Sequence, residues 1–206
     1  MNVPVDTSAL PRDVQVFLDE ADRRIEQFQI EHHIPGFVPS DFARAYGMLR
    51  TVAESDLAQG NLFCEWGSGF GVVACLATML DFNAHGIEIE RELVDAARRL
   101  ATDFDLPVEF AQGSFIPTGS EIELDDDGFS WLTVDGNPPA EMDLGPDDFS
   151  LIFAYPWPDE QCVIKELFER HAANGALLLT YHSDEYLRLR RKEGQKRRPR
   201  KGTVRK

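Results

Sequence analysis

Phe63-Cys64-Glu65-Trp66-Gly67-Ser68-Gly69-Phe70-Gly71-Val72-Val73-Ala74 is the stretch on which the reading of this 206-residue chain turns. Two apolar residues lead into an acid, glycine then stands at every second position, and an apolar run continues through Met79. The pattern spells strand, tight loop and helix. Glycines at 67, 69 and 71 let the backbone turn sharply and let a ligand lie against bare main chain, where a Cβ would clash. A second acid, Glu88, ends the next apolar run, 21 residues beyond Gly67. Such an arrangement suits a nucleoside-containing cofactor whose ribose hydroxyls need a carboxylate acceptor.

Outward from this segment, strand and helix patterns alternate. Leu62–Trp66 reads as a first strand, Gly71–Met79 as a helix and Ala84–Ile89 as a second strand. Arg91–Asp103 reads as a helix with Leu93, Val94, Ala97 and Leu100 facing inward. Val108–Ala111, Phe149–Tyr155 and Ala176–Tyr181 read as three more strands, with a helix at Asp159–Ala172. The alternation predicts an α/β, Rossmann-like open sheet, mostly parallel and covered by helices on both faces. Two amphipathic helices are expected before it, Pro11–Ile30 and a second running from an N-cap at Ser40 or Asp41 to about Ser55.

Residues 116–148 break the alternation with an acidic insertion. Ile122-Glu123-Leu124 and Ser130–Val134 alternate like short strands and predict a hairpin turning at Asp127-Gly128. The expected organisation is an N-terminal helical lid over 1–59, an α/β core over 60–187 that carries the insertion, and a basic tail over 188–206. That tail is low in apolar residues and is expected to be disordered beyond a helical start.

Composition narrows the class. Hydrophobic residues make up 43% of the chain, and no apolar run approaches the roughly 20 residues a membrane crossing needs. Met-Asn-Val-Pro-Val-Asp lacks the basic and apolar parts of a signal peptide, so a cytoplasmic location is expected. Cys64, Cys75 and Cys162 all have apolar neighbours and match no zinc spacing; buried reduced thiols, and no metal, are the expectation. Charge is split. Residues 188–206 hold 11 of the 21 lysines and arginines and one acid, so the overall −15 combines a tail of +10 with a body of −25. The body repels nucleic acid and favours cationic ligands, whereas the tail suits RNA or an acidic partner, or folds back on the body.

A dinucleotide site needs G-x-G-x-x-G, whose third glycine would stand at Val72. Here glycine falls one place earlier and an acid precedes the first by two. Glu65-Trp66-Gly67-Ser68-Gly69-Phe70-Gly71 resembles the first motif of the class I S-adenosylmethionine-dependent methyltransferases, acid-x-Gly-x-Gly-x-Gly, at every defined position. Over roughly residues 60–182, Gly86–Glu90 is similar to the second motif and Glu109–Phe115 to the third. Phe149–Pro158 and Asn174–Tyr181 are similar to the fourth and fifth. The resemblance implies S-adenosylmethionine as cofactor, bound by Glu65, Gly67, Ser68, Gly69, Gly71, Glu88, Ile89, Gly113, Ser114 and Phe115. Loop N–H groups and the helix start would hold the methionine carboxylate, and Glu65 would orient the loop and face the ammonium. Glu88 would accept from both ribose hydroxyls, with Ile89 and Phe115 around the adenine. Ser114 stands where the third motif usually has Asp. The hairpin of sixth and seventh strands that usually closes this sheet is expected to be absent, since only 25 residues follow Tyr181.

The fourth motif often reads Asn-Pro-Pro-aromatic in enzymes that methylate amines, and Tyr155-Pro156-Trp157-Pro158 occupies its place. Tyr155 and Trp157 are the candidate catalytic residues, an aromatic wall able to hold a flat or cationic group. Aromatic packing at a strand-to-helix turn is the alternative. Tyr181 and His182 are further candidates for the cleft, while His32 and His33 are assigned no chemistry. The lead-in Val38-Pro39-Ser40-Asp41 with Met48-Leu49 is also similar to that of small protein-lysine methyltransferases. Methyl transfer to an amine or protein lysine is therefore the leading expectation. A non-catalytic S-adenosylmethionine-binding scaffold or regulatory protein is the alternative, and a nicotinamide oxidoreductase is disfavoured by Val72.

Overall fold

The computed structural model describes residues 9–120, 132, 139, 142–182 and 187–194. Helix α1 (Arg12–Glu31) buries Val14, Phe17, Leu18, Ala21, Ile25 and Phe28, the 3.6-residue period legible in the chain. Helix α2 (Phe42–Glu54) begins at Asp41, whose carboxylate accepts the Arg44 N–H at 3.0 Å. Asp41, not Ser40, is therefore the cap. The core follows as β1 (Leu62–Trp66), α3 (Val72–Thr78), β2 (Asn83–Glu88), α4 (Arg91–Asp103) and β3 (Glu109–Gln112). Then come β4 (Leu151–Ala154), a 3₁₀ turn (Pro158–Glu160), α5 (Gln161–His171), β5 (Leu177–Tyr181) and β6 (Leu187–Arg191).

The six strands lie in the order β3-β2-β1-β4-β5-β6, all parallel except β6. Alternation sorts their side chains between two layers. Phe63, Leu151, Phe153, Leu177 and Leu179 join α1 to α4 on one face. Cys64, Trp66, Ile152, Ala154 and Leu178 join Ile164, Leu167 and Phe168 of α5 on the other. Strand order reverses between β1 and β4, which pair through Phe63–Leu151 and Trp66–Ala154. In an open parallel sheet a crevice opens at the carboxyl ends of the strands at such a reversal.

Two expectations are corrected. Residues 188–191, expected to open a disordered tail with a helical start, are the body of β6, antiparallel to β5. Leu187 and Leu189 alternate with Arg188 and Arg190, a period of two, and Leu189 is buried. Arg191 holds the end of the strand by donating to the carbonyls of Gly175 (3.0 Å) and Leu57 (2.7 Å). Among the described residues one antiparallel strand, not a pair, thus follows β5. The second correction concerns Cys162, which is exposed on α5 while Cys64 and Cys75 are buried. The expected hairpin around Asp127-Gly128, and the tail beyond Gly194, lie outside the described residues. No helix among the described residues is long and apolar enough to cross a membrane.

Candidate functional site

The glycine loop folds over the end of β2. Gly67 and Ser68 both donate their N–H groups to the Ile87 carbonyl at 2.9 Å, and Gly71 donates to Ser68 at 2.7 Å. Gly67, Gly69 and Gly71 all have positive φ, at 69°, 53° and 72°. At two of them space is short as well. A Cβ at Gly71 would stand 2.4 Å from Phe110 Cζ, and one at Gly69 2.9 Å from Phe37 Cε2. Glycine is therefore required at Gly71 by packing as well as by backbone conformation.

Both acids of the motif are buried and tied to the loop. Glu65 Oε2 accepts the N–H of Ala74 at 2.9 Å, fastening the first turn of α3 to the end of β1. Burial pushes the Glu65 carboxyl well above its usual range; the Ala74 N–H opposes this and the nearby charge of Glu88 adds to it. Glu88 Oε2 accepts from Gly69 N–H at 2.8 Å, and its Oε1 accepts from the N–H groups of Ile89 (2.8 Å) and Glu90 (3.0 Å). Burial raises its pKa too, against the pull of those three N–H donors.

The loop, the acids and the end of β4 wall a cleft of about 490 Å³, a size that takes a small-molecule ligand. Of the sequence-predicted residues, Glu65, Gly67, Ser68, Gly69, Glu88, Ile89, Gly113, Ser114 and Phe115 line it, together with Tyr155 and Trp157. Gly71 does not line it; it packs behind the loop on Phe110 and Ala97. Phe115 lies parallel to Trp66 with ring centroids 5.3 Å apart, so Trp66 backs one of its faces. The Ser114 hydroxyl oxygen accepts the Ile116 N–H at 3.2 Å. Residues 34 to 40 form the opposite wall, where Phe37 and Phe70 stack at 6.3 Å and Phe28 meets both.

Tyr181 and His182, expected at the cleft, do not line it. Tyr181 packs edge-on against Tyr155 at 4.9 Å, and His182 Nε2 pairs with Thr180 Oγ1 at 2.9 Å. Strand β5 lies one place farther from the strand-order reversal than β4, which carries them away. Reading the chain missed Phe70 and Glu160, both of which line the cleft. The only signal for Glu160 was its place three residues after Trp157.

No protein-family model and no curated protein matches the sequence. Solved structures do match in shape. One is the O-methyltransferase TomG from Streptomyces achromogenes in complex with SAM, with a TM-score of 0.51 and 16% identity, covering 84% of this chain and 66% of that one. Another is a methyltransferase from Geobacter sulfurreducens, with a TM-score of 0.50 and 18% identity over 86% of this chain and 79% of that one. A putative O-methyltransferase from Klebsiella pneumoniae gives 0.51 at 14% identity, over 84% of this chain and 66% of its own. The chain shares the fold of these proteins. At these identities the likeness fixes the architecture; the chemistry has to be argued from the cleft.

The residues present fit S-adenosylmethionine by three observations. Ser68 Oγ is buried at the cleft wall with no hydrogen-bond partner among the described residues. Gly67 and Gly69 leave bare main chain on that wall. The N–H groups of Gly67, Ser68, Gly69 and Gly71 are all taken up inside the protein, so a carboxylate has those of Phe70 and Val72, both on the cleft wall, to meet, for which no partner is found among the described residues.

Proposed function

We propose that this protein is an S-adenosylmethionine-dependent methyltransferase whose acceptor is an amine. One observation carries the reading: a single cleft joins the Gly67–Gly71 loop and its acids Glu65 and Glu88 to the aromatic segment Tyr155–Pro158. Bound there, S-adenosylmethionine would supply an electrophilic methyl group. Glu65, Gly67, Ser68, Gly69, Glu88, Ile89, Gly113, Ser114 and Phe115 would hold it, with Gly71 supporting the loop from behind. The protein's remaining task is to bring the acceptor's lone pair into line and exclude water. Tyr155 is half-buried against Tyr181 while Trp157 is 38% exposed at the cleft, which supports an acceptor received between ring faces. The acidic body favours a cationic acceptor over an anionic one.

Isothermal titration of the full chain with S-adenosylmethionine and S-adenosylhomocysteine tests the donor. Saturable binding in the micromolar range is expected. Folded protein that binds neither at millimolar concentration overturns it. Mass-spectrometric detection of a methylated lysine peptide or small amine then separates an enzyme from a scaffold that binds the cofactor without turnover. The basic residues 196–206, which follow β6 in the chain, are proposed to contact RNA or an acidic protein surface, with retention that falls as salt rises.

A further inference from the structure

Glu160 closes the 3₁₀ turn that links the aromatic segment to α5. It is 4% exposed, yet it lines the cleft beside Tyr155, Trp157 and Ile164. Its Oε2 accepts the backbone N–H of Trp157 at 3.1 Å, which locks the acid to the aromatic residue it neighbours. The start of α5, where Glu160 is the N-cap, provides the positive end of a helix for its charge.

A carboxylate is costly to bury, and on a cleft wall of tyrosine, tryptophan, proline and isoleucine it stands out from its surroundings. Aromatic faces and a carboxylate share one preferred guest. Ring faces attract a cation, and a carboxylate takes a charge-assisted hydrogen bond from N⁺–H. A neutral alcohol of the same shape gains little from either.

We propose that Glu160 is the residue that selects a positively charged alkylammonium group as the acceptor end of the ligand, which releases one proton to solvent before its nitrogen lone pair takes the methyl group. Trp157 provides the ring face, and the Trp157 N–H bond sets the carboxylate's direction. The inference rests on the acceptor side of the reading above. It adds that charge, not ring shape, decides which acceptor enters.

The test compares 2-phenylethylamine with its neutral isostere 2-phenylethanol at pH 7, by titration calorimetry on the full chain with and without saturating S-adenosylhomocysteine. Wild-type protein is expected to bind the amine at least tenfold more tightly. Glu160→Gln keeps an oxygen for the Trp157 N–H but removes the charge; its preference is expected to fall below about threefold. An equal preference in wild type, or one that survives in Glu160→Gln, overturns the proposal. Should that variant not fold, the wild-type Trp157 amide resonance decides: a shift with the amine and none with the alcohol supports the proposal, and no difference overturns it. Failure of S-adenosylhomocysteine to bind would remove the donor reading separately, because the amine preference is read on the protein by itself.

Discussion

The main-chain N–H of Gly69 donates to Oε2 of Glu88 across 2.8 Å, a bond between the loop after β1 and the acid that ends β2. It joins two motifs 19 residues apart into one wall. The Glu88 carboxylate holds the loop, and the residue lines the cleft, where a ribose would need an acceptor. With three N–H donors already accepted, about one of the roughly four lone-pair positions of a carboxylate is left for a ligand. Two ribose hydroxyls thus require one of these bonds to be exchanged.

Replacing Glu88 by alanine is expected to weaken S-adenosylmethionine binding by roughly 1.5–3 kcal/mol, or about 10- to 150-fold, the scale of hydrogen bonds to a charged group. Titration calorimetry measures it. Because the loop is released as well, amide exchange at Gly69 should accelerate in the ligand-free variant. Unchanged affinity would remove Glu88 from the site; unchanged exchange would remove its hold on the loop.

Gly67 and Gly71 separate backbone strain from crowding. Their φ values, 69° and 72°, are nearly equal, so alanine at either costs about the same 1–2 kcal/mol of left-handed strain. Space differs: the nearest atom to an added Cβ is Phe115 Cε1 at 3.9 Å for Gly67, but Phe110 Cζ at 2.4 Å for Gly71. Urea unfolding should show Gly71→Ala less stable than Gly67→Ala by about 1–3 kcal/mol, the cost of overpacking. Phe110→Leu should recover part of that difference. Equal losses would contradict the packing described.

Glu65 gives a pH signature. Its folded pKa is raised by burial, so its contribution to stability is complete below the unfolded carboxylate pKa and is lost as pH rises through the folded value. Glu65→Gln keeps an acceptor for the Ala74 N–H and removes that loss. The variant should match wild type near pH 4 and exceed it by about 1–3 kcal/mol at pH 8, read from urea midpoints. Glu88 is present in both proteins, so the difference between them reads the charge of Glu65 together with its repulsion with Glu88. Parallel stability–pH curves would count against a buried, strained Glu65.

His85 gives the opposite slope. Both its ring nitrogens are buried without a hydrogen-bond partner among the described residues, and Glu109 at 3.7 Å is too far to provide one. Burial lowers its pKa, against the pull of Glu109. Stability linked to it is present above the unfolded histidine pKa and is lost as pH falls through the folded value. His85→Leu should be within about 1 kcal/mol of wild type at pH 7.5 and more stable than wild type at pH 5. Identical pH dependence in urea would show that His85 is hydrated or paired.

Legibility differed by element for physical reasons. Strand β1 and helix α4 coincide with the residues read from the chain, because β1 is a nearly continuous buried run that ends at Gly67 and α4 buries one face at the helical period. Arg188–Arg191 misled: a dense run of cations reads as a solvated tail, yet Leu187 and Leu189 find an open edge on β5 that no local pattern announces. Cys162 misled in the other direction, since apolar neighbours in sequence lie on other faces of a helix.

The order Glu65, Gly67, Gly69, Gly71 and Glu88 determined by itself a strand, a tight loop and a helix, because glycine takes the positive φ of such turns without the strain a Cβ brings. Which acids point where, that Phe37 closes over Gly69, and that Glu160 joins Tyr155 and Trp157 on the cleft wall were decided by the tertiary structure. These residues lie in separate segments of the chain. Only the packing of α5 and the 34–40 segment around the strand ends makes them neighbours.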